Sequence, residues 1–372
     1  SFLAYLLLSP AMLFLFSQKP ATALFYTLFT WGAYLLVRFL ESQVTTYLFA
    51  FGLVYGLSFL SGFESVLLFP YYVVVLVWFV GVRQPLRLLS VLLVSFLPLG
   101  FVVGTWVFLN WLLTGDGWHF LHSAYSYFYQ AYRAGSAEVV SLAGNPGLAL
   151  LEAATRTWLS ALPYYLMFPM LVDGSIPRLA NPWLFVYASP LLLLAAKVYA
   201  GLLIPSSYES CVLAFTAGLF ADRIGKRVPK VLVGAAIALS VTVAWLRLPI
   251  SPNIEEAAFG RLLSGQDIPS GTATFREAAS VLRSTRGLIL LDDSQLYPIV
   301  ALLSEPGRFI LPYNYEFDAA VSAPRQYAEY VVVHRGAGGD QVAAAWPGVL
   351  KGQLPGYYLI WQAEHIAIFR RR

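Results

Sequence analysis

Long apolar runs alternate with short polar segments through the first two thirds of the chain. A helix that crosses a bilayer needs about 20 mostly apolar residues. Apolar segments lie at about 2–16, 20–37, 44–61, 65–82, 88–113, 157–172, 182–204, 208–221 and 231–248. The longest of them, 88–113, carries no charged residue. The pattern therefore predicts a polytopic α-helical membrane protein with about nine spans,.

The pattern changes after the last apolar run, where charge, Gly and Pro increase and apolar runs shorten to strand length. We predict helices at 275–283, 294–303 and 340–346, and strands at 287–291, 330–334, 357–361 and 366–369,. These elements form a C-terminal extracytoplasmic α/β domain at 249–372. Residues 1–248 form the transmembrane domain, with an outer loop helix region at 114–156.

The outer loop region begins with an aromatic helix. Residues Trp118, His122, Tyr125, Tyr129 and Tyr132 share one helix face, which suits the headgroup layer of a membrane,. A second helix is predicted at 148–156, so a pair of surface helices is expected.

Composition agrees with a membrane protein: 58% of the residues are hydrophobic, 12% are charged, and the mean hydropathy is +0.66. In a soluble protein the net charge of +4 would suggest nucleic acid as a partner. Here basic residues lie in short loops, at Arg83, Arg87, Arg178 and 222–230, and the positive-inside rule assigns these loops to the cytoplasm,. We therefore expect a multi-pass protein of the plasma (inner) membrane, with membrane lipid and no nucleic acid as partner.

Two smaller features concern the source and the extent of the chain. The chain contains no Asn-x-Ser/Thr sequence, which fits a prokaryotic source, and its single cysteine, Cys211, excludes an intrachain disulfide. Ser1 opens inside an apolar run with no Met and no basic flank, so we expect further N-terminal sequence,.

The predicted topology collects polar side chains on the outer face, among them Lys19, Glu64, Lys197 and Glu209,. Glu64 lies at the mouth of the third and fourth spans without an obvious local cation, and we predict it as a proton acceptor,. The alternative is a helix-capping or solvated loop residue. Lys197 lies inside the end of its span, where it either binds a lipid phosphate or extends to the interface.

The remaining candidates lie in loops. Asp116 is either a second catalytic carboxylate or a helix N-cap,. Arg133, His119 and His122 are candidates for binding phosphate. The i, i+3 histidine pair has no visible third ligand, so no metal site is assigned and the need for a divalent metal stays open. Asp292 and Asp293 follow a buried strand, where acids more often cap the next helix than catalyse.

Several stretches resemble the membrane glycosyltransferases of the GT-C superfamily, which includes protein O-mannosyltransferases and lipid A aminoarabinose transferases. The pieces that carry the resemblance are Ser9-Pro-Ala-Met-Leu, Ser17-Gln-Lys-Pro, the run from Leu24 to Leu40, Leu57-Ser-Phe-Leu-Ser-Gly-Phe-Glu-Ser-Val-Leu-Leu-Phe-Pro, Asn110-Trp-Leu-Leu-Thr-Gly-Asp-Gly-Trp-His-Phe-Leu, Leu291-Asp-Asp, Arg308-Phe-Ile-Leu-Pro and Tyr330-Val-Val-Val. The resemblance implies a polyprenyl-phosphate sugar donor, transfer on the outer face, and an inverting displacement at the anomeric carbon.

The chain departs from that family at the catalytic base, which is usually an Asp in the first outer loop. No residue here matches it, so we expect the base in preceding sequence, with Glu64 and Asp116 as substitutes. The function expected is transfer of a sugar from a polyprenyl phosphate to an acceptor, with a carboxylate activating the acceptor hydroxyl. The alternative is a non-catalytic membrane subunit of a larger complex that kept the scaffold. A transporter is less favoured, because no paired Gly/Pro-broken spans with central charges occur.

Overall fold

The computed structural model describes residues 5, 7–81, 83–122, 142–168, 182–203, 205–224, 229–251, 253–265, 271–303, 305–335, 340–363 and 365–372. They form two compact units, of which the first contains 7–120 and 142–265 and the second contains 271–372. Arg133 and most of the predicted aromatic helix lie outside the described residues.

The described part of the chain up to residue 265 is helical. Its helices are α1 (Pro10–Gln18), α2 (Pro20–Ser42), α3 (Thr45–Ser61), α4 (Phe69–Val80), α5 (Pro85–Thr114), α6 (His119–His122), α7 (Pro146–Thr157), α8 (Leu162–Met167), α9 (Pro182–Tyr199), α10 (Cys211–Ile224), α11 (Lys230–Arg247) and α12 (Ile254–Leu263). A 3₁₀ turn, Phe63–Leu68, leads directly into α4. The predicted helix at 148–156 is confirmed by α7.

Five helical segments among the described residues are long and apolar enough to cross a membrane: Pro20–Ser42, Phe63–Val80, Pro85–Thr114, Pro182–Tyr199 and Val231–Ile250. Two further apolar helices, Thr45–Ser61 and Cys211–Ala221, are shorter than 18 residues. The protein is therefore membrane-embedded, and the count of nine spans stays a prediction. The segment predicted at 157–172 contains only the short helix α8 before the described residues stop at 168.

Close packing of α3 against α5 depends on two glycines one helical turn apart. A Cβ atom at Gly52 would lie 2.0 Å from the carbonyl oxygen of Ser95, and one at Gly56 would lie 3.2 Å from Cα of Leu99. Small residues at this spacing let membrane helices approach closely. On α5, Leu86, Leu97 and Phe101 are 80%, 69% and 74% exposed, as expected for an apolar surface in lipid.

Contacts at the helix ends define two ends of the first unit. At one end the indole of Trp183 donates to Glu41 at 2.5 Å, and Arg87 donates to the side chain of Gln43 at 2.7 Å. At the opposite end Lys19 forms an ion pair with Glu255, at the start of α12. We call this second end the polar end, since it also holds the buried acids described below. Helix α12 packs closely here, because a Cβ at Gly260 would lie 2.7 Å from the backbone of Leu248.

The second unit is an α/β domain with a five-stranded sheet. Its elements are α13 (Gly271–Arg283), β1 (Ile289–Leu291), α14 (Asp293–Leu303), β2 (Phe309–Ile310), α15 (Phe317–Ser322), α16 (Pro324–Tyr327), β3 (Tyr330–His334), α17 (Gln341–Ala345), β4 (Tyr357–Gln362) and β5 (Ile366–Arg371). The strand order is β2-β1-β3-β5-β4, with β2, β1 and β3 parallel and the last two pairings antiparallel. The predicted helices and strands are confirmed, whereas the sequence pattern does not predict β2, α15 or α16.

Both faces of this sheet are covered. Ile289, Leu291 and Val332 face a core that includes α13 and α14, whereas Leu290, Val331 and Val333 face a core that includes α15 and α17. The strands are apolar on both sides, as is usual for parallel strands between helical layers.

Candidate functional site

A buried lysine lies between two glutamates at the polar end of the first unit. The Nζ atom of Lys197 is 3.4 Å from Oε1 of Glu64 and 3.3 Å from Oε2 of Glu209. The Lys197 side chain is 1% exposed, that of Glu209 3% and that of Glu64 11%. Glu64 has no cation close to it in sequence, and its partner in space comes from a helix distant in sequence.

Tyr26 completes this group, which we call the Lys197 cluster: Tyr26, Glu64, Lys197 and Glu209. The hydroxyl of Tyr26 donates to Oε2 of Glu209, and Nζ of Lys197 is 6.0 Å from the centroid of the Tyr26 ring. Four segments therefore meet here: α2, the 3₁₀ turn, the last turn of α9 and the chain before α10. Its charges combine one ammonium with two carboxylates.

The position of Lys197 bears on both interpretations of this residue. Its ammonium does not extend to the interface, because it is buried against the carboxylates. Its charge is also balanced by two nearby acids, so little net positive charge remains to attract a phosphate. The predicted role in phosphate binding is therefore not favoured by the geometry, and a role in holding Glu64 and Glu209 in place is.

Gly62 allows Glu64 to turn back toward its own backbone. A Cβ atom at position 62 would lie 2.6 Å from Oε2 of Glu64 and 2.8 Å from Cγ of Phe25. Both distances are shorter than real Cβ contacts allow. The glycine before the 3₁₀ turn is therefore required for the observed position of the Glu64 carboxylate.

A third buried glutamate, Glu256, lies beside the cluster in the first turn of α12. Its carboxylate accepts hydrogen bonds from the hydroxyl of Ser251 and, at 2.9 Å, from the backbone N–H of Tyr208. Burial raises the pKa of Glu256, while the donors around it, Ser251 foremost, act in the opposite direction. Tyr208 directly precedes Glu209. One short segment therefore contacts Glu256 through the backbone of Tyr208 and supplies Glu209 to the Lys197 cluster.

A pocket of about 360 Å³ opens at the same end of the unit. We call it the arginine pocket, and its walls include Glu152, Thr155, Arg156, Ser206, Ser207 and Arg247. Arg247 donates from Nη1 to the carbonyl oxygen of Arg156 at 3.2 Å, and Arg156 forms an ion pair with Glu152. Ser251, which binds Glu256, also lines the pocket. The segment 206–209 thus links the pocket wall to the Lys197 cluster.

The other predicted site residues lie elsewhere. The carboxylate of Asp116 accepts the backbone N–H of Trp118 at 2.9 Å, and the carbonyl of Asp116 accepts the N–H of His119 at 3.2 Å. Both contacts are local to the turn before α6, and the carboxylate contact goes to Trp118, which lies outside that helix, so both interpretations of Asp116 stay predictions. His119 and His122 lie in the short helix α6. Within the described ranges, no group of three or more His, Cys, Asp or Glu side chains is arranged to hold a metal ion.

Acids at the strand ends of the second unit bind backbone groups. Asp340 accepts from His334 N at 2.7 Å and from Ala343 N at 2.9 Å, while Asp292 accepts from Gln341 N at 2.9 Å. Burial raises the pKa of Asp340 to about 7, against the lowering effect of its backbone donors. Asp292 thus contacts the first residue of α17, whereas the sequence predicts that Asp292 and Asp293 cap the helix that follows them, α14.

Comparison of this chain with family models, with curated proteins and with solved structures gives no match. The resemblance to GT-C glycosyltransferases is therefore an interpretation of the residues alone.

The sequence pattern places Glu209 at the outer face but does not predict its contact with Lys197, and it does not single out Glu256, Arg156 or Arg247. One signal was available for Glu209, which directly precedes an apolar segment that begins at Cys211. An acid beside such a segment needs a partner when it is buried.

Proposed function

We propose that this protein is a membrane glycosyltransferase that moves a sugar from a polyprenyl phosphate to an acceptor hydroxyl. The observation that carries the proposal is the Lys197 cluster. Ionisable side chains buried among apolar spanning helices are costly, and they commonly mark the sites where membrane proteins act. The resemblance to GT-C proteins supplies the class of reaction.

In the proposed reaction the Glu64 carboxylate accepts the proton of the acceptor hydroxyl. The acceptor oxygen attacks the anomeric carbon, the bond between that carbon and the phosphate oxygen breaks, and the polyprenyl phosphate leaves with the bonding electrons. Glu64 is assigned this role because it is the most exposed acid of the cluster. Lys197 is a positioning residue that holds Glu64, and the site faces the outside of a prokaryotic plasma membrane.

A non-catalytic membrane subunit is the second candidate. It is favoured by the pairing inside the Lys197 cluster, where each carboxylate contacts the same ammonium and the exposed fraction is small. In that case the cluster fixes α2, α9 and the 3₁₀ turn relative to one another and takes no part in a reaction.

The test is sugar transfer by the purified full chain in liposomes, with polyprenyl-phosphate mannose as the first donor. General-base catalysis contributes about 10² to 10⁴ in rate. We expect Glu64→Gln to lower transfer by at least about 100-fold while the variant keeps its unfolding temperature. The matched control is Glu255→Gln, which removes an exposed carboxylate at the same end of the unit. Transfer by Glu64→Gln at the unaltered rate would remove Glu64 from the reaction.

A further inference from the structure

The arginine pocket lies where a lipid headgroup would meet the protein. Arg247 is the last residue of α11, and the apolar segment Val231–Ile250 ends three residues later. The pocket is therefore at the boundary between the apolar helices and water. A polar pocket at this depth is reached both by headgroups of membrane lipids and by solutes.

The side chains that line the pocket favour an anion. Two guanidinium groups, Arg156 and Arg247, share the lining with one carboxylate, Glu152, so the net charge of these three groups is positive. A guanidinium carries five N–H donors in a planar fork that matches phosphate oxygens. The contact described for Arg247 uses Nη1 toward the Arg156 carbonyl, and this bond also fixes the orientation of the fork.

Hydroxyl groups add neutral donors around the two arginines. Thr155, Ser206 and Ser207 line the pocket on sides contributed by α7 and by the segment before α10. Phosphate oxygens commonly accept from both guanidinium and hydroxyl groups. Lys197, by comparison, has its charge balanced by Glu64 and Glu209.

We propose that the arginine pocket, rather than Lys197, binds a phosphate monoester, with Arg247 as its principal ligand. The inference rests on the proposed function only for the identity of the group esterified to the phosphate. With a volume of about 360 Å³, the pocket has room for a phosphate and part of an attached group. Under the proposed reaction, the phosphate is a diester of polyprenol and sugar in the donor, and this pocket holds it as it leaves as the polyprenyl phosphate monoester.

The test is binding to the full chain in lipid nanodiscs, with farnesyl phosphate, inorganic phosphate and farnesol as the three probes. We expect farnesyl phosphate to bind and farnesol to bind at least about tenfold more weakly. Tighter binding of farnesyl phosphate than of inorganic phosphate identifies a lipid headgroup, and equal binding identifies a soluble phosphate. Equal binding of farnesol and farnesyl phosphate would overturn the proposal.

Thr155 provides a charge test with little risk to folding, because its side chain is exposed on α7. Thr155→Glu adds a carboxylate to the pocket wall and should weaken farnesyl phosphate binding about tenfold or more through charge repulsion. Thr155→Gln is the matched neutral control and should bind within about twofold of the unaltered protein. Equal affinities of the two variants would contradict a phosphate in this pocket.

Arg247 provides the second, direct test. Arg247→Gln should weaken farnesyl phosphate binding about tenfold or more, since a charge-assisted pair is lost. Arg261→Gln removes an arginine of α12 that is not part of the pocket lining and should leave the affinity unaltered. If Arg247→Gln does not fold, the Thr155 pair still decides the question.

Binding and transfer separate this inference from the proposed function. Phosphate binding that depends on Thr155 and Arg247 in a protein without transfer activity would support the pocket and contradict the glycosyltransferase. Transfer that depends on Glu64, with binding unaltered in Thr155→Glu and Arg247→Gln, would support the glycosyltransferase and contradict the pocket.

Discussion

Two sets of buried carboxylates, those of the Lys197 cluster and those at the strand ends of the second unit, are compensated in different ways. In the first unit, Glu64 and Glu209 face the ammonium of Lys197. In the second unit, Asp292 and Asp340 accept hydrogen bonds from backbone N–H groups. A side-chain cation can be removed by a single substitution, whereas a backbone donor remains after any substitution other than one to proline. The two sets of acids should therefore differ strongly in their response to mutation.

The difference follows from what each type of backbone leaves unpaired. Inside a long helix the N–H groups bond to carbonyls of the same helix, so a buried acid between spanning helices must find a side-chain partner. Where a parallel strand leads into a helix, the first N–H groups of that helix have no internal acceptor. Asp340 meets this need at α17, where its side chain binds the N–H of Ala343.

The largest expected effect is that of Lys197→Met. Removal of the ammonium leaves two buried carboxylates facing each other without a cation. Loss of one partner of a buried ion pair typically costs about 3–5 kcal/mol. We expect a corresponding large fall in the unfolding temperature of the full chain in detergent.

Two further variants define what that fall means. Lys19→Met removes a partly exposed lysine of the same unit and should alter the unfolding temperature little,. Adding Glu209→Gln to Lys197→Met should restore part of the lost stability, because one uncompensated charge is removed. An unaltered unfolding temperature in Lys197→Met would show that the carboxylates are not compensated by this residue.

Features that depend on a run of neighbouring residues could be predicted from the sequence, and very short elements could not. The run Tyr330-Val-Val-Val-His334 is short, apolar and bounded by polar residues, and it forms the predicted strand. Strand β2 has only Phe309 and Ile310, which is too short for any periodicity to appear. The topology predicted from the basic loops puts Glu64 and Lys197 at the same end of the helices, and their contact confirms that grouping.

The contact itself was beyond sequence reasoning, because it depends on which helices are neighbours. Hydrophobic periodicity identifies a buried face but not the helix that covers it. One neighbour relation did have a sequence signal, since Gly52 and Gly56 are spaced for close helix packing against α5,. The sequence also predicts a short helix at 340–346, and Asp340, its first predicted residue, forms the N-cap of that helix.

An intermediate effect is expected for Asp340→Asn. The amide retains one acceptor oxygen, so one of the two bonds, to His334 N or to Ala343 N, is lost at a cost of about 1–2 kcal/mol,. Hydrogen exchange of the β3 and α17 amides in the full chain measures this loss. Asp318→Asn, an exposed position on α15, is the control and should leave exchange unaltered.

The same variant should alter the pH dependence of stability. Burial raises the pKa of Asp340 to about 7 from its ordinary value of 3.8, so the folded chain binds a proton that the unfolded chain releases between those values. The contribution of Asp340 to stability therefore falls as pH rises from about 4 to 7, by at most about 1.4 kcal/mol per pH unit. Asp340→Asn should be more destabilising at pH 5 than at pH 8, and equal losses at both would contradict the raised pKa.

The smallest expected effect is that of Asp292→Asn, which tests the link between the two acids of the second unit. The asparagine oxygen can still accept from Gln341 N, so the loss in stability should be about 0.5 kcal/mol,. The negative charge of Asp292 contributes to the raised pKa of Asp340, and its removal should lower that pKa. Hydrogen exchange of the β3 amides against pH should then show the Asp340 transition at lower pH than in the unaltered chain. A transition at the same pH would show that Asp292 does not contribute to the pKa of Asp340, and that the two acids act independently.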